Sequence, residues 1–367
     1  MAAVRVVAAM SGGVDSSVAA ALLVRQGYEV IGVTMQIWQA RDPAEEARLG
    51  GCCSLGAVAD ARRVAELLGI PYYVLNLQEA FRRAVIDDFV REYARGRTPN
   101  PCIVCNREIK FAALLERARE LGAEYVASGH YARAGWDARR GRWVLRRGRD
   151  ARKDQSYVLY PLEQEQLAHV LFPLGGMEKA ETRRLAAELG LPVAAKPESQ
   201  EICFVRDGDY AAFLEGEIPD RFRPGPIVDR RGRLLGTHRG LPRYTVGQRR
   251  GLGVAAREPL YVLEVDAERN RLVVGTAAEA GRRRFRVGPV TWVSEAPPET
   301  GGWQSAEVQL RAHAPARPAR YRLEQGDPRR LEVELEEPLR AITPGQSAVL
   351  YRGEEVLAGG PVREVLE

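Results

Sequence analysis

The 367-residue chain has little of what would place it in a membrane or outside the cell. No apolar run approaches the ~18 residues that a membrane-spanning helix needs, so no membrane span or membrane partner is expected. The first ten residues lack a charged n-region, and no secretory signal peptide is predicted. Five cysteines are too few for a secreted disulfide scaffold of this length. These absences predict a cytoplasmic protein in a reducing compartment.

Lysine and histidine are also scarce in the chain. Only four of the 54 basic residues are lysine: Lys110, Lys153, Lys179 and Lys196. The net charge of +5 is a modest lean toward polyanionic partners. One segment concentrates the arginines, with eight basic side chains between Arg139 and Lys153. It is either a solvated hairpin or a nucleic-acid contact, and we favour the contact.

What the chain does contain is a glycine turn between an apolar run and a helical pattern. The turn is Ser11-Gly12-Gly13-Val14-Asp15-Ser16-Ser17, and the helical pattern after it closes at Gly27. Two glycines let successive N–H groups face one point, and the helix start adds unpaired N–H groups. The Walker-type loop needs a lysine after its last glycine, and none is present. The alternatives are a phosphate cradle and a plain helix N-cap, and the number of small and polar residues favours the cradle.

Strand and helix patterns alternate through the first part of the chain. Strands are predicted at 4–10, 28–34, 72–77 and 125–130, with helices at about 17–26, 55–68, 80–94 and 107–121. This alternation predicts an α/β doubly wound parallel sheet, whose ligands bind at the carboxyl ends of the strands. That edge would bring together the glycine turn, Thr34–Met35 and Gly129–His130, which suits a nucleotide.

The composition and the secondary-structure patterns of the sequence change in the second half of the chain. Helical patterns continue through about 151–200, and from about Gly208 glycine and proline rise while short strands replace helices. We therefore expect a catalytic domain at 1–207, with a helical extension at about 151–200. A small central domain at 208–284 and a C-terminal β-barrel at 285–367 are expected to follow.

The cysteines fall into three groups: Cys52-Cys53, Cys102-x-x-Cys105 and the distant Cys203. The first group is interpreted as structural or incidental. For the others, small buried residues, a structural zinc site and reactive thiols compete. The polar, proline-rich loop around the Cys-x-x-Cys argues against burial, and the scattered histidines argue against zinc.

Cys105 is the favoured reactive thiol. It precedes a helix predicted to start near Arg107, with Asn106 as a plausible cap. A helix N-terminus favours the thiolate form of a cysteine, and the thiolate is the nucleophile.

Seven stretches, in this order, resemble the tRNA-specific 2-thiouridylase family, whose enzymes thiolate the wobble uridine of certain tRNAs. They span nearly the whole chain: Ser11–Ser16; Thr98–Pro101 with Cys105-Asn106 and Ile109–Phe111; Ser128–Tyr131; Lys153–Tyr157; Ser199–Phe204; Tyr244–Arg249; and Pro344–Ala348. The first stretch alone indicates only a PP-loop ATP pyrophosphatase, whereas the set is specific. The resemblance implies an adenine nucleotide alpha hydrolase-like PP-loop domain, a central domain and a C-terminal β-barrel.

The resemblance implies ATP-dependent 2-thiolation of the wobble uridine in the anticodon stem-loop of tRNA. Such a tRNA-uridine 2-sulfurtransferase adenylates the uridine 2-oxygen, releases pyrophosphate and transfers sulfur from a cysteine persulfide. Cys203 would carry the persulfide, loaded by a sulfur-relay donor protein or a cysteine desulfurase. Cys105 would be the second catalytic cysteine, which resolves the persulfide and can form a disulfide with Cys203. Mg²⁺ and the cradle would neutralise the pyrophosphate, with Asp15 as our candidate for orienting metal or phosphate.

The resemblance also implies binding residues. ATP is expected at Ala9, Met10, Ser11, Gly12, Gly13, Val14, Asp15, Ser16, Met35 and Gly129. The target base is expected at Asn100, Pro101 and Cys102. Contacts with tRNA are expected from His130, Lys153, Asp154, Gln155, Arg311, Ala312 and Gln346, although Ala312 departs from the usual aromatic residue.

Cys102 departs from the pattern of the family, because many family members carry aspartate at this position with a general acid/base role. A thiol could shuttle a proton instead. Alternatively, Cys102, Cys105 and Cys203 could hold a [4Fe–4S] cluster that leaves one iron open to carry sulfide. We favour the persulfide route.

Two other classes of function compete with thiolation. A PP-loop ligase or amidotransferase acting on a small molecule would not need Cys105 and Cys203. A non-catalytic RNA-binding module would show no dependence on ATP.

Overall fold

The computed structural model describes residues 3–38, 55–197, 202–205, 208–299 and 301–366. Cys52, Cys53 and the Ser199-Gln200-Glu201 part of the fifth matching stretch lie outside the described residues. Within the described part of the chain, no helix is long and apolar enough to cross a bilayer.

Helices and strands alternate in the first half of the chain, and strands dominate the second half. The strands are β1 Arg5–Ala9, β2 Glu29–Gln36, β3 Tyr72–Asn76, β4 Tyr125–Ala127, β5 Ala132–Asp137, β6 Arg142–Arg147, β7 Val170–Leu171, β8 Gly225–Val228, β9 Leu234–His238, β10 Tyr261–Asp266, β11 Arg271–Gly275, β12 Arg282–Val287, β13 Thr291–Trp292, β14 Gln304–Gln309, β15 Arg317–Glu324, β16 Asp327–Leu339, β17 Ser347–Arg352 and β18 Glu355–Val365.

Two of the helices contain π-helical segments in their middle, at Arg82–Ile86 and Cys105–Ala113. The helices are α1 Val14–Arg25; α2 Leu55–Leu68; α3, made of Gln78–Phe81, Arg82–Ile86 and Asp87–Ala94; α4, made of Pro101–Val104, Cys105–Ala113 and Leu114–Glu120; α5 Gln164–Ala168; α6 Lys179–Glu188; α7 Tyr210–Glu217; and α8 Ala277–Ala280.

A five-stranded parallel sheet forms the first unit, in the order β3-β2-β1-β4-β7. Successive residues of β1 serve opposite faces of the sheet, as strand geometry requires. Val7 packs with α4 on one face, while Val6 and Ala8 pack with α1 and α2 on the other. Burial on both faces explains why the central strand β1 is continuously apolar after Arg5, whereas β3 at the sheet edge is partly exposed. The predicted doubly wound parallel sheet is confirmed.

The strand at the β7 edge was not predicted from the sequence. The sequence predicts helical patterns through about 151–200, but the helix in this part of the chain ends at Ala168. Val170 and Leu171 then pair with Val126 and Ala127 of β4. A two-residue strand is too short to show any periodicity of its own. Its apolar residues continue the helical spacing of the preceding segment, so the pattern predicted a helix.

A four-stranded sheet in the order β10-β11-β8-β9 forms the second unit. The predicted hairpin of β10 and β11 is present, and β11 pairs in parallel with β8. Ile227, Val262, Leu272 and Val274 form its core.

The third unit is a closed barrel in which β12, β16, β15, β14, β17 and β18 pair in turn and β18 pairs back with β12. Alternation along β16 puts Leu331, Val333 and Leu335 inside. Arginine–glutamate pairs cross between β15 and β16 on the outside, as between Arg322 and Glu332. The predicted C-terminal β-barrel is confirmed.

The first unit and the barrel share a core. Strand β6 continues the barrel sheet by pairing with β18 at Arg146 and Glu355. Tyr157 is buried with barrel residues such as Tyr351 in the same apolar cluster as β1, and its hydroxyl donates to Ser347 O at 2.9 Å. This continuity fixes the position of the barrel relative to the parallel sheet, including the edge formed by the carboxyl ends of its strands.

Candidate active site

The glycine turn between β1 and α1 holds its serine hydroxyls against its own backbone. Ser16 Oγ lies 3.1 Å from both Ser11 N and Ser11 Oγ and donates to Gly13 O at 3.1 Å. Ser17 Oγ donates to the same carbonyl at 2.8 Å. Gly13 is the N-cap of α1 and offers no side-chain cap. The positive end of the helix is therefore open to an anion.

Two glycines let neighbouring backbone segments close on this turn. Gly12 has a φ of +68°, and a Cβ there would lie 2.1 Å from Ala57 O at the start of α2. A Cβ on Gly129, just after β4, would lie 2.7 Å from Ser16 N. The end of β4 thus lies directly against the first turn of α1, as the topology predicted.

The end of β2 completes this edge of the sheet. Met10 N donates to Val33 O at 2.8 Å, and Thr34 Oγ1 donates to Met10 O at 2.6 Å. Tyr72 OH donates to Thr34 Oγ1 at 2.7 Å, and burial raises the pKa of that phenol. Met35 follows at the strand end, where it is half-buried. The residues expected to bind ATP therefore converge from three separate segments.

Lys179 places a buried cation beside the turn. Its Nζ lies 2.7 Å from both carboxylate oxygens of Asp15, and 8% of the residue is exposed. Tyr131 OH donates to Asp15 Oδ1 at 2.8 Å. Asp15 therefore holds Lys179 beside the turn, and its predicted role in orienting metal or phosphate stays a prediction.

The start of α6 fixes Lys179 in that position. Lys179 is the first residue of the helix, which opens with a capping box between Glu178 and Glu181. Asp150 Oδ2 accepts a hydrogen bond from Lys179 N at 3.1 Å. This hydrogen bond lowers the pKa of Asp150, so its carboxylate stays charged at the positive end of the helix.

Lys196 reaches the other side of the turn from the segment after α6. Its Nζ donates to Gly12 O at 2.9 Å and to Asp60 Oδ2 of α2 at 2.7 Å. Two of the four lysines in the chain therefore flank the glycine turn. Sequence reasoning missed both, and the only available clue was that lysine is rare in an arginine-rich chain.

The position predicted for Cys105 was wrong. Helix α4 begins at Pro101, not near Arg107, and Asn100 caps it by accepting from Cys102 N at 3.1 Å. Proline fits the first helical position because its missing N–H would have no helical partner there. Cys105 lies in the second turn and is 7% exposed, while Cys102 occupies the first turn and is exposed. Helix-start activation therefore applies to Cys102, not to Cys105.

Cys105 and Cys203 both pack in one aromatic cluster. Cys105 is buried with Phe81, Phe89 and Phe204, and the half-buried Cys203 packs against the same group. The rings of Phe89 and Phe204 interlock edge-on, with centroids 5.3 Å apart. The structure thus unites two thiols that are 98 positions apart in the chain.

The described residues do not form a metal centre. Nowhere in the described ranges do three histidine, cysteine, aspartate or glutamate side chains come together in a way that could hold a metal ion. Cys102, Cys105 and Cys203 are all described, so their arrangement here does not fit a three-thiolate cluster.

Two of the predicted tRNA contacts in the Lys153–Gln155 segment hold the protein together. Asp154 Oδ2 accepts from Arg147 NH1 at 2.9 Å, and Asp154 Oδ1 accepts from Gly148 N at 3.0 Å. Gln155 Oε1 accepts from Tyr131 N at 3.0 Å. These bonds support the fold beside the nucleotide turn, and the predicted tRNA contacts stay predictions.

His130 lies beneath the surface at the end of the β4 segment. It is 8% exposed, and its Nδ1 lies 2.8 Å from Ser128 Oγ. Its ring packs near Phe111 and Phe172. Burial, assisted by the charge of Lys110, lowers the pKa of His130 well below its usual value. A contact between His130 and tRNA stays a prediction, and it would involve a neutral imidazole.

Gln346 anchors the loop that carries the predicted base-binding residues. Its Nε2 donates to Thr98 O at 2.8 Å, and Thr98 N donates to Pro344 O at 2.9 Å. Thr98 Oγ1 donates to Thr245 Oγ1 of the central unit at 3.4 Å. The loop before Asn100 is therefore held by the barrel and by the central unit together.

Arg311 and Ala312 lie in the turn after β14. Gln309 Nε2 donates to Arg311 O at 3.0 Å and to Ala312 O at 2.8 Å, which fixes the turn. Arg311 is exposed and Ala312 is half-buried. Their predicted role in tRNA binding stays a prediction.

The arginine-rich segment is the hairpin β5–β6, and much of its charge is neutralised internally. Arg140 and Arg146 both pair with Glu355 of the barrel at 2.8 Å. Arg149 pairs with Glu181 at 3.3 Å. The structure thus favours the hairpin interpretation over the nucleic-acid contact for these side chains.

Comparison with known proteins identifies the three units. A tRNA methyl transferase HUP domain model matches residues 4–207, a tRNA methyl transferase PRC-barrel domain model matches 211–276, and an aminomethyltransferase beta-barrel domain model matches 282–362. With its glycine turn at the sheet edge, the first unit defines a nucleotide-binding protein of the HUP class.

Full-length relatives narrow that class. The tRNA-specific 2-thiouridylase MnmA of Moorella thermoacetica is 52% identical over 98% of this chain and 99% of its own length. That of Chloroflexus aurantiacus is 55% identical over 97% of both chains, and that of Symbiobacterium thermophilum is 52% identical over 99% of this chain and 93% of its own. The chain belongs to the tRNA-specific 2-thiouridylase family.

Proposed function

We propose that this protein uses ATP to replace the 2-oxygen of a tRNA wobble uridine with sulfur from a cysteine persulfide. The observation that carries the proposal is the position of Met35. It stands at the nucleotide edge, next to the end of β2, and packs against the aromatic cluster that contains Cys105 and Cys203. An adenylated base at the sheet edge would therefore lie beside the thiols that must attack it.

The domain descriptions and the relatives' names disagree about the chemistry. Two of the three domain descriptions speak of tRNA methyl transfer, whereas the relatives are named as thiouridylases. We follow the relatives because they match at 52–55% identity across nearly the whole chain. Two thiols in one cluster beside a phosphate cradle also suit sulfur transfer, whereas methyl transfer would not need them.

The first step would be adenylation of the base. The uridine 2-oxygen attacks the α-phosphorus of ATP, and pyrophosphate leaves. The N-terminus of α1 would supply positive charge where the pyrophosphate charge develops. Lys179 and Lys196, paired with the carboxylates of Asp15 and Asp60, would turn N–H donors toward the phosphates in place of the missing Walker lysine. Mg²⁺ would arrive on the nucleotide phosphates and add to this charge. AMP is then a far better leaving group than the carbonyl oxygen.

The second step would replace the activated oxygen. The terminal sulfur of a persulfide on Cys203 attacks C2 of the adenylated uridine, and AMP leaves with the former 2-oxygen. Cys105 Sγ then attacks Cys203 Sγ, which breaks the bond between Cys203 Sγ and the transferred sulfur and leaves that sulfur on C2 of the base. The 2-thiouridine departs, and a Cys105–Cys203 disulfide remains. The apolar cluster keeps water away from the activated base.

The tRNA would contact a surface formed by all three units. The base must leave its stack to reach the sheet edge, so a pocket alone is insufficient. The Thr98–Cys102 segment would receive it, and the contacts of Thr98 with Gln346 and Thr245 support this proposal. A sulfur-relay protein or a cysteine desulfurase would reload Cys203.

The test separates the two steps with Cys203→Ser and Cys105→Ser. Pyrophosphate release with tRNA and ATP should continue in Cys203→Ser, because adenylation precedes sulfur transfer, while 2-thiouridine formation should cease. Cys105→Ser should also form no free 2-thiouridine. Full thiolation by both variants would refute the proposal.

The cluster route needs its own measurement. Protein purified without oxygen should contain less than stoichiometric iron and sulfide, and it should thiolate after the metal has been removed. A stoichiometric cluster whose removal abolishes activity would overturn the persulfide route.

A further inference from the structure

Cys102 and Cys105 lie one turn apart at the start of α4. The N–H of Cys105 donates to Cys102 O as well as to Pro101 O, so this turn is partly 3₁₀ in character. Side chains three residues apart lie one above the other in such a turn, with Cβ atoms about 5–6 Å apart in a regular helix. A disulfide needs a Cβ separation of about 3.5–4.5 Å, which a small adjustment of the first turn supplies.

The environments of these two cysteines differ sharply. Cys102 is exposed in the first turn, where the helix dipole favours a thiolate. Cys105 is 7% exposed and is enclosed by the aromatic cluster. An exposed thiol at the start of the helix therefore stands next to a buried one.

The proposed function, on which this inference rests, ends each turnover with a Cys105–Cys203 disulfide. One of its sulfurs belongs to buried Cys105 and the other to half-buried Cys203. Thiol–disulfide exchange needs direct access of a thiolate to sulfur. A reductant in solution has little access to Cys105 Sγ, whose attack by a thiol would release Cys203 as the thiolate that accepts the next sulfur. A route from the surface to Cys105 would serve this step.

We propose that Cys102 provides this route as a resolving thiol. The Cys102 thiolate attacks Cys105 Sγ, a Cys102–Cys105 disulfide forms, and the Cys105–Cys203 bond breaks with its electron pair on Cys203 Sγ. Cys203 is then a thiolate that can accept the next persulfide sulfur. A dithiol reductant from solution attacks the exposed Cys102 Sγ, reduces the new disulfide by two electrons and is itself oxidised to a disulfide.

The arrangement of the thiols suits a relay. Helical spacing links Cys102 to Cys105, and the aromatic cluster links Cys105 to Cys203. The described residues show no convergence of three such ligands on one point. Consecutive exchange reactions need the thiols to come together only in pairs, first Cys105 with Cys203 and then Cys102 with Cys105.

The experiment follows reduction of the disulfide without tRNA or ATP. Wild-type protein and Cys102→Ser are oxidised with diamide to the Cys105–Cys203 disulfide. They are then reduced with dithiothreitol, alkylated at timed intervals and mapped by peptide mass spectrometry. We expect the Cys203 thiol to return at least ~10-fold more slowly in Cys102→Ser. A transient Cys102–Cys105 disulfide should appear in the wild type. The double variant Cys52→Ser, Cys53→Ser controls for loss of thiols as such and should follow the wild type.

Three results would overturn the relay: equal rates in wild type and Cys102→Ser, absence of any disulfide containing Cys102, or failure of Cys105 and Cys203 to pair on oxidation. None of these readouts requires thiolation. The first two results concern the relay alone, whereas failure of Cys105 and Cys203 to pair would also contradict the second step of the proposed function. In multiple-turnover thiolation, Cys102→Ser should also lose rate relative to its own first turnover. An unchanged ratio would contradict the relay independently.

Discussion

At the scale of single residues, the charge of the nucleotide turn comes from lysines that are remote in sequence. Lys179 and Lys196 lie 164 and 184 positions beyond the turn residues that they contact. Lys179 is locked between Asp15 and the start of α6. Lys196 is more accessible, with 35% of its side chain exposed. Lys196 is therefore the residue whose removal tests the phosphate site with least damage to the fold.

Replacing Lys196 with glutamine should weaken pyrophosphate release about 10- to 100-fold, because one charged hydrogen bond to the departing phosphates is lost. Lys196→Arg should recover part of that loss because it keeps the charge. Arg25→Gln, at the far end of α1, removes the same charge from an exposed position and serves as the control. The measurement is pyrophosphate release under saturating tRNA. Equal rates for Lys196→Gln and Arg25→Gln would exclude Lys196 from the site.

At the scale of secondary-structure elements, the site depends on close contact between the glycine turn and α2. Gly12→Ala would force a Cβ to within 2.1 Å of Ala57 O at a φ of +68°. It should lower the free energy of unfolding by at least ~2 kcal/mol. Gly13→Ala is the matched control, because Gly13 has an extended backbone with a φ of −103° and its nearest neighbour would be 3.6 Å away.

Gly13→Ala should change the free energy of unfolding by less than about 1 kcal/mol. Urea unfolding of both variants without nucleotide makes the comparison. Similar losses in the two would show that the approach of α2 does not constrain the turn.

Helices and strands with a clear apolar periodicity were predictable from the sequence. Features that depend on capping or on tertiary contacts were not. Strands β1–β4 and helix α2 follow from apolar periodicity because burial on defined faces imposes it. The start of α4 was misplaced although Asn100-Pro101 is a typical cap and first position, because the surrounding prolines suggested a loop. The two-residue β7 carries too little pattern to show. No local pattern could place Lys179 and Lys196 at the turn, since only tertiary packing brings them there.

At the scale of the whole molecule, the three units meet at Thr98. The barrel holds both its N–H and its carbonyl, through Pro344 and Gln346, and the central unit contacts its hydroxyl through Thr245. In the proposed function, tRNA bound by the β units would act through these hydrogen bonds on the Thr98–Cys102 segment.

Gln346→Glu tests this coupling because it keeps the size but removes the donor to Thr98 O. It should raise the KM for tRNA or lower the thiolation rate about tenfold, while the KM for ATP stays near the wild-type value. Gln304→Glu, on β14 of the same barrel, adds an equal charge and should stay within roughly twofold of wild type. If Gln346→Glu and Gln304→Glu behave alike, the loop does not depend on the barrel.

The central claim is that this molecule places sulfur at C2 of a wobble uridine at the expense of ATP. The most direct measurement is mass spectrometry of tRNA incubated with the protein, ATP and a persulfide donor. The account predicts the mass gain of one oxygen-to-sulfur exchange at the wobble uridine, with one AMP and one pyrophosphate formed per thiolated tRNA. An unmodified wobble uridine under these conditions, or thiolation without ATP cleavage, would contradict it.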